Sequence, residues 1–181
     1  MNEPHDLDTA QWAATVQAAV TAVRGAGARN TLLLPGSTFA SAGTLPTEAG
    51  PALLKVTNPD GTTDGLVFDV HKYLDADGSG TSPECTTNNI ADAFAPLATW
   101  LRANKRQALV SETGGGNTAS CEKLFCEELA FLNENADVFL GYTAWSAGAF
   151  DPATYELSLV PAASGGTWTD TPLVKACIKA P

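Results

Sequence analysis

Short apolar runs alternate along the chain with longer segments in which apolar residues recur every three or four positions. The short runs are continuous rather than alternating, which is typical of strands buried on both faces of a parallel sheet. The longer segments have the period of amphipathic helices. The alternation of the two therefore predicts a parallel sheet covered by helices. The predicted strands are 31–36, 65–71, 108–111 and 138–142.

Capping residues and apolar spacing locate the helices between these strands. Asp8 or Thr9 is the predicted N-cap of the first helix, and Gly25 and Gly27 end it. Trp12 belongs to the apolar stripe of this helix, so we interpret it as a core residue. Two short helices are predicted, over 52–56 and near 173–178. Asn88 or Asn89 caps a longer helix whose apolar residues are Ile90, Phe94, Leu97 and Leu101. Thr118 or Ser120 begins another, with Leu124, Leu129, Phe131 and Leu132 facing inward.

Polar side chains follow successive strands at the points where the strands end. In an α/β protein the carboxyl ends of parallel strands are where reactive groups collect. Glu112 follows a strand and precedes three glycines, and burying a lone carboxylate there costs several kcal/mol unless another group pairs with it. Glu3 is the best second group in the chain, because Asn2-Glu3 resembles the tail of a strand. The strand-end residues are Asn2, Glu3, His71, Lys72, Tyr73, Glu112 and Trp145.

Two carboxyl groups surrounded by His, Tyr and Trp side chains are typical of a glycosidase active site. One carboxyl group protonates the leaving oxygen while the other attacks the sugar carbon or activates water. Taken singly, a glutamate after a strand is usually a solvated surface group and a lone histidine is usually structural. The joint pattern favours a hydrolase.

Composition narrows the class of partner. Ten basic and twenty acidic residues give a net charge of −10, which disfavours nucleic acid and anionic membranes because both require a basic face. No apolar run has the length of a membrane span, and the N-terminus lacks the features of a signal peptide. The chain is therefore expected to be cytosolic or to lack its true start. Four cysteines without Cys-x-x-Cys spacing argue against a zinc or redox motif and fit two disulfides.

Three further motifs have simpler readings. Gly114–Asn117 lacks the Gly-Lys-Ser/Thr ending of a phosphate loop, and its glycines are expected to allow a tight turn beside the preceding glutamate. Asp75–Gly80 resembles the start of an EF-hand loop but lacks glutamate at the twelfth position, so a plain turn is expected. Glu3, His5 and His71 offer zinc ligands without the usual spacing, so no metal is assigned.

Four motifs taken in order resemble those of fungal endoglucanases of glycoside hydrolase family 5. They are Asn2–His5, Asp69–Asp75, Ser111–Asn117 and Trp145–Gly148, and the resemblance continues through 85–90 and 168–171. It implies a (β/α)8 TIM barrel, of which this chain would be the C-terminal half, from the end of strand 4 to helix 8. Residues 1–181 would then form part of a single catalytic domain whose N-terminal half is missing.

The resemblance implies a retaining endo-β-1,4-glucanase that hydrolyses cellulose and related glucans by double displacement without a cofactor. Glu3 would be the general acid/base and Glu112 the nucleophile. In the family pattern, Asn2 holds the sugar 2-hydroxyl, Tyr73 hydrogen-bonds the nucleophile, His71 orients the site, and Trp145 stacks on the sugar before the cleaved bond.

The resemblance also implies that Cys85 pairs with Cys121 and Cys126 with Cys177. It implies a secreted, extracellular parent protein that is monomeric and acts on β-glucan. The net charge of −10 is the reason to expect neither nucleic acid nor membrane as a partner. Phe39 stands where relatives often carry a loop tryptophan. The alternatives are a β-mannanase or mixed-linkage glucanase of the same family, or a catalytically inert half-barrel fragment.

Overall fold

The structure is a computed structural model that describes residues 1–148 and 154–178. The chain divides into two compact units, and each is described by itself. The first unit comprises Met1–His71, Ala91–Leu109 and Asp137–Leu140; the second comprises Lys72–Ile90, Val110–Ala136 and Gly141–Pro181.

Four strands form one sheet in the order β1-β2-β3-β4, and all are parallel. Their bounds are β1 Leu32–Pro35, β2 Leu66–His71, β3 Ala108–Thr113 and β4 Phe139–Ala144, and a separate hairpin consists of β5 Ala162–Ser164 and β6 Thr167–Thr169. The helices are α1 Thr9–Gly25, α2 Gly50–Leu53, α3 Ala95–Asn104 and α4 Ala119–Glu134, with π-helical turns at Ile90–Phe94 and Val174–Ile178. Across the described residues, no helix combines the length and apolarity needed to cross a membrane.

Helix α1 forms where capping and apolar spacing predicted it. The Asp8 side chain accepts a hydrogen bond from the Gln11 backbone N–H at 2.8 Å, which satisfies one of the free donors of the first turn. Val16 and Val20 are buried on the inner face of the helix. The indole Nε1 of Trp12 donates to the Pro35 carbonyl at 2.8 Å, so this side chain ties α1 to the end of β1.

Phe68 of β2 is the centre of the core in the first unit. Its side chain is fully buried, and its ring lies 5.4 Å from that of Trp100 on α3. The guanidinium of the buried Arg106 lies over the Phe68 ring, 4.6 Å from its centroid, which gives this cation an aromatic partner inside the unit. A side chain at Gly50 would meet the Trp100 ring at 2.8 Å, so only glycine allows α2 to approach α3 closely.

Two disulfides tie helix α4 to its neighbours in the second unit. Cys85 pairs with Cys121 and Cys126 pairs with Cys177, which confirms the predicted pairing. The Thr118 side chain caps α4 by accepting from the Cys121 backbone N–H. The first turn of the helix is therefore fixed both by its cap and by a covalent bond.

The boundaries and the inner face of some elements differ from prediction. Strands β3 and β4 both extend two residues beyond their predicted C-terminal ends, and α2 lies two to three residues earlier than expected. The third helix begins with a π-helical turn, because Pro96 lacks the N–H that a regular α-helix starting near Asn89 would need. Leu124 and Phe131 are only half-buried, since the inner face of α4 consists of Cys121, Phe125, Glu128, Leu129 and Leu132. The exposed β5–β6 hairpin, closed by two glycines, was not predicted.

We expect the variant Cys126→Ala/Cys177→Ala to be less stable by about 4 kcal/mol, because the bridge closes a long loop in the unfolded chain. Both cysteines are only half-buried, so little packing is lost with them. Urea denaturation of both forms measures the difference. Reduction of the Cys126–Cys177 bridge should give a similar loss, and an unchanged urea midpoint in the double variant would contradict the expectation.

We expect the isolated chain to self-associate, because β1 and β4 are the outer strands of the described sheet and offer hydrogen-bonding edges. Leu33 on β1 is 38% exposed and adds an apolar contact. Sedimentation velocity over a range of concentrations measures the association, and Leu33→Lys should weaken it by placing a charge on the edge strand. A monomer that melts cooperatively at every concentration would argue against this expectation.

Candidate active site

Glu3 and His71 form the polar pair of the first unit. The Glu3 Oε1 atom lies 2.7 Å from His71 Nδ1, with His71 4% and Glu3 37% exposed. His71 is the last residue of β2, and its backbone pairs with the segment around Ser41. Its N–H donates to the Ala40 carbonyl, and its carbonyl accepts from the Ala42 N–H. The strand thus fixes the imidazole, and the imidazole fixes one oxygen of a partly exposed carboxyl group.

The segment that carries Glu3 is itself anchored. The Phe39 backbone N–H donates to the Pro4 carbonyl at 3.0 Å, and the rings of His5 and Phe39 stack at 4.5 Å with an interplanar angle of 9°. The His5 Nδ1 atom contacts the Asp6 carboxylate at 2.8 Å. His5 therefore contacts Asp6 and Phe39, and not the Glu3–His71 pair, in the contacts described. Asn2, next to Glu3, is exposed.

Tyr73 and Glu112 form the polar pair of the second unit. The Tyr73 hydroxyl donates to Glu112 Oε2 at 2.8 Å, and the Tyr73 side chain is 6% exposed. The Lys72 backbone N–H donates to the Glu112 carbonyl, so main-chain pairing sets the register that brings hydroxyl and carboxylate together. Glu112 lies inside β3 rather than after it, because the strand continues to Thr113.

Trp145 follows β4 and is held to the end of β3. Its backbone N–H donates to the Thr113 carbonyl at 2.8 Å, and its indole Nε1 donates to the Tyr155 hydroxyl at 2.5 Å. A Cβ atom at Gly114 would lie 2.7 Å from the Trp145 carbonyl oxygen. The glycine directly after this strand is therefore required for the close approach of the tryptophan backbone.

The other two glycines of the run are also required by packing. A Cβ at Gly115 would lie 2.4 Å from the Cys85 sulfur and 2.5 Å from the Cys121 sulfur, and one at Gly116 would lie 2.6 Å from Pro83. From the sequence, these glycines are expected to allow a tight turn. The structure shows that at Gly115 and Gly116 the constraint is space against the disulfide and the proline.

The Asp75–Gly80 segment forms the predicted turn. The Asp75 carboxylate is buried and accepts hydrogen bonds from the backbone N–H groups of Gly80, Thr81 and Ser82. These donors account for a buried carboxylate here, because charge-assisted bonds to main-chain N–H groups offset its desolvation. The turn lies directly after the strand-end segment that carries Tyr73.

A third glutamate, which the sequence analysis did not single out, lies behind the Tyr73–Glu112 pair. Glu128 of α4 is fully buried; it accepts from the Thr113 hydroxyl at 2.6 Å and from the Asn89 side-chain amide at 3.3 Å. Burial raises the pKa of this carboxyl to about 8, while its hydrogen bonds with Thr113 and Asn89 and the charge of Lys72 act in the opposite direction. Its position on the apolar stripe of α4, three residues after Phe125 and four before Leu132, was the available signal.

Comparison with known proteins places these residues in a family context. The family Cellulase (glycosyl hydrolase family 5) matches residues 1–148. Endoglucanase EG-II of Hypocrea jecorina is 57% identical over 180 residues, which cover 98% of this chain and 43% of that protein. The manganese dependent endoglucanase Eg5A of Phanerodontia chrysosporium is 52% identical over 181 residues, covering 99% of this chain and 46% of that protein.

Solved structures of similar proteins agree with the family assignment. Cel5A (EG2) from Hypocrea jecorina superimposes with a TM-score of 0.94 at 57% identity, covering 98% of this chain and 54% of that one. XacCel5A, solved in complex with cellopentaose, gives 0.86 at 32% identity, covering 98% and 58%. Of the two curated relatives named before these structures, EG-II and Eg5A, the chain spans less than half the length. The predicted fold is confirmed: the parallel sheet is part of a (β/α)8 barrel.

We expect the stability of the chain to fall as pH rises from about 5 to 8. In this window folded Glu128 keeps a proton that the unfolded glutamate, with an ordinary pKa of 4.5, has released. The free energy of unfolding should therefore fall by up to about 1.4 kcal/mol per pH unit from this group. Urea denaturation at several pH values measures the slope.

The variant Glu128→Gln cannot titrate and should show a flatter dependence on pH. Glu127→Gln, on the same turn of α4, serves as the control for the change in net charge. Parallel slopes for the native chain and Glu128→Gln would show that Glu128 is already ionised across this range.

Proposed function

The chain belongs to glycosyl hydrolase family 5, and we propose that it is the part of a retaining endo-β-1,4-glucanase that carries both catalytic carboxyl groups. The observation that carries the proposal is that each predicted catalytic glutamate has its own polar partner at a strand end. Glu3 contacts His71, and Glu112 accepts from Tyr73. The two curated relatives reported above are both named endoglucanases, which supports the reaction class.

In the first step of the proposed reaction, Glu112 attacks the anomeric carbon of the sugar. The bond between this carbon and the glycosidic oxygen breaks, and a bond to a Glu112 oxygen forms. The Tyr73 hydroxyl holds Oε2 by a charge-assisted hydrogen bond, which fixes the carboxylate orientation before substrate arrives. Such pre-positioning lowers the barrier because the reacting groups need not be oriented during the reaction.

Glu3 supplies the proton in this step and removes one in the next. Its proton passes to the glycosidic oxygen as the bond breaks, so the leaving sugar departs as an alcohol. A water molecule then attacks the anomeric carbon, gives its proton to Glu3 and releases Glu112. We propose that His71 donates from Nδ1 to Oε1 of Glu3, so the proton to be transferred is carried on the other oxygen. The mechanism requires the two carboxyl groups to lie about 5–5.5 Å apart.

We propose β-1,4-glucan as the substrate, with Trp145 stacking on the sugar before the cleaved bond and Asn2 binding its 2-hydroxyl. An indole held by Tyr155 presents a rigid apolar surface of the kind that sugar rings pack against. XacCel5A was solved with cellopentaose, a β-1,4-linked glucan oligomer, and is 32% identical. The relatives do not favour the β-mannanase or mixed-linkage alternatives.

We also propose that the protein acts outside the cell. Both disulfides lie in the second unit, and disulfides of this kind persist in oxidising environments. The net charge of −10 suits a neutral polysaccharide and disfavours polyanions. The proposed partner is therefore extracellular β-glucan.

We expect the chain to release reducing ends from carboxymethyl-cellulose, and Glu3→Gln and Glu112→Gln each to lower the rate by at least about 100-fold. Glu134→Gln, an exposed carboxylate at the end of α4, is the matched control and should retain full activity. Release of reducing ends is the measurement. A native chain that releases none at high enzyme concentration would favour the inert-fragment alternative.

Azide rescue assigns the two roles. With an activated cellobioside and azide, Glu112→Ala should give the α-glycosyl azide, because azide takes the place of the missing nucleophile in a single displacement. Glu3→Ala should give the β-glycosyl azide, because azide intercepts the covalent intermediate. The reverse pattern of products would exchange the roles of the two glutamates.

A further inference from the structure

Glu128 has no part in the reaction steps above, yet it is a fully buried carboxyl group at an apolar position of an amphipathic helix. A leucine or methionine would satisfy the helical pattern without the cost of desolvating a carboxyl group. The presence of a carboxyl group at this position must therefore be explained by the groups that it binds. Both of its oxygens have partners in the second unit, and the two partners lead to the two members of the Tyr73–Glu112 pair.

The first connection runs through Thr113. The Thr113 hydroxyl lies 2.6 Å from Glu128 Oε1. Thr113 is the last residue of β3 and directly follows Glu112, and its carbonyl accepts from the Trp145 backbone N–H. Holding the Thr113 side chain thus fixes the end of the strand on which Glu112 lies.

The second connection runs through Asn89. Its side-chain amide donates to Glu128 Oε2 at 3.3 Å and also to the Tyr73 carbonyl at 3.0 Å. Asn89 has a φ of +56°, a left-handed conformation that asparagine tolerates better than most residues, and its N–H donates to the Thr87 hydroxyl. One buried amide therefore links the Glu128 carboxyl group to the residue whose hydroxyl binds Glu112.

We propose that Glu128 is a positioning residue for the nucleophile: from inside α4 it holds both Thr113, next to Glu112, and Asn89, which holds Tyr73. This inference rests on the proposed function of Glu112. The carboxyl group suits the role because each of its oxygens accepts one hydrogen bond, Oε1 from the Thr113 hydroxyl and Oε2 from the Asn89 amide. Lys72 is the charged group whose field acts on Glu128, and the two hydrogen-bonding partners are neutral.

Three variants test the role. Glu128→Gln keeps an acceptor oxygen for the Asn89 amide and offers an N–H to the Thr113 hydroxyl, which can accept as well as donate, so this variant should retain most of the activity. Glu128→Leu puts an apolar side chain of similar volume in place of the carboxyl group and so loses both hydrogen bonds. We expect kcat to fall up to about 100-fold, as for a misplaced reacting group, with little change in KM. Glu127→Gln, which changes the neighbouring helix residue that contacts Asn88, is the control and should match the native chain.

Trapping of the nucleophile separates positioning from a general loss of structure. A 2-deoxy-2-fluoro-β-cellobioside with an activated leaving group should label Glu112 more slowly in Glu128→Leu by the same factor as kcat. Labelling at the native rate in a folded Glu128→Leu protein would overturn the proposal.

A fluorine NMR measurement gives a readout that does not depend on activity. The chain has three tyrosines, so 3-fluorotyrosine labelling gives three resonances, and Tyr73→Phe assigns the one of interest. Glu112→Ala supplies the reference shift for loss of the Tyr73–Glu112 bond. The Tyr73 resonance should stay at its native shift in Glu128→Gln and move toward this reference in Glu128→Leu.

The two readouts distinguish the possible failures. An inactive native chain would count against the proposed function, and the Tyr73 resonance alone would then decide whether Glu128 positions the pair. An unmoved resonance in Glu128→Leu would overturn the inference even in an active enzyme. If Glu128→Leu does not fold, Thr113→Val removes only one of the two bonds, and an unmoved Tyr73 resonance together with native kcat in that variant would overturn it equally.

Discussion

A carboxyl group that is partly or fully withdrawn from water must have hydrogen-bond partners, and this requirement organises the polar contacts of the described chain. Glu3 has His71, Glu112 has Tyr73, and Glu128 has Thr113 and Asn89. His71 and Thr113 lie on strands, and the backbone N–H groups on both sides of Tyr73 donate to the carbonyls of Glu112 and Gly114. The cost of removing charge from water is thus offset by groups whose positions the fold already determines. The same contacts that make these carboxyl groups tolerable also orient them.

The segment from Tyr73 to Asn89 shows how a loop becomes a rigid support. Cys85 is bonded to Cys121 at the start of α4, and Gly115 packs against both sulfurs. The turn around Asp75 closes on its own backbone N–H groups. A loop held at several points loses little further freedom when substrate binds, which is what a site that depends on fixed hydrogen bonds requires.

Much of the fold could be predicted from the sequence because its signals are local. The cap at Asp8 and the continuous apolar strands each act over a few residues, and each proved sufficient. The disulfide pairing joins residues 36 and 51 positions apart and was predicted from the resemblance to the family. The ends of β3 and β4 were placed two residues short, because Glu112 and Thr113 are polar and only tertiary pairing keeps them in the strand. Glu128 could be suspected from its place on an apolar stripe, but its partners come from 15 and 39 positions away. Periodicity carries no information about such distant contacts.

The position of Glu128 also shows why stability and function need not favour the same residue. A leucine at this site would remove a group that is costly to bury and would free the fold from its dependence on proton binding. It would also leave Thr113 without its carboxyl partner and remove one of the two groups that hold the Asn89 amide. Sites that keep reacting groups in fixed orientations commonly give up stability for that purpose. Because burial raises the pKa of Glu128, the stability lost by keeping this group grows with pH and is smallest in acidic surroundings.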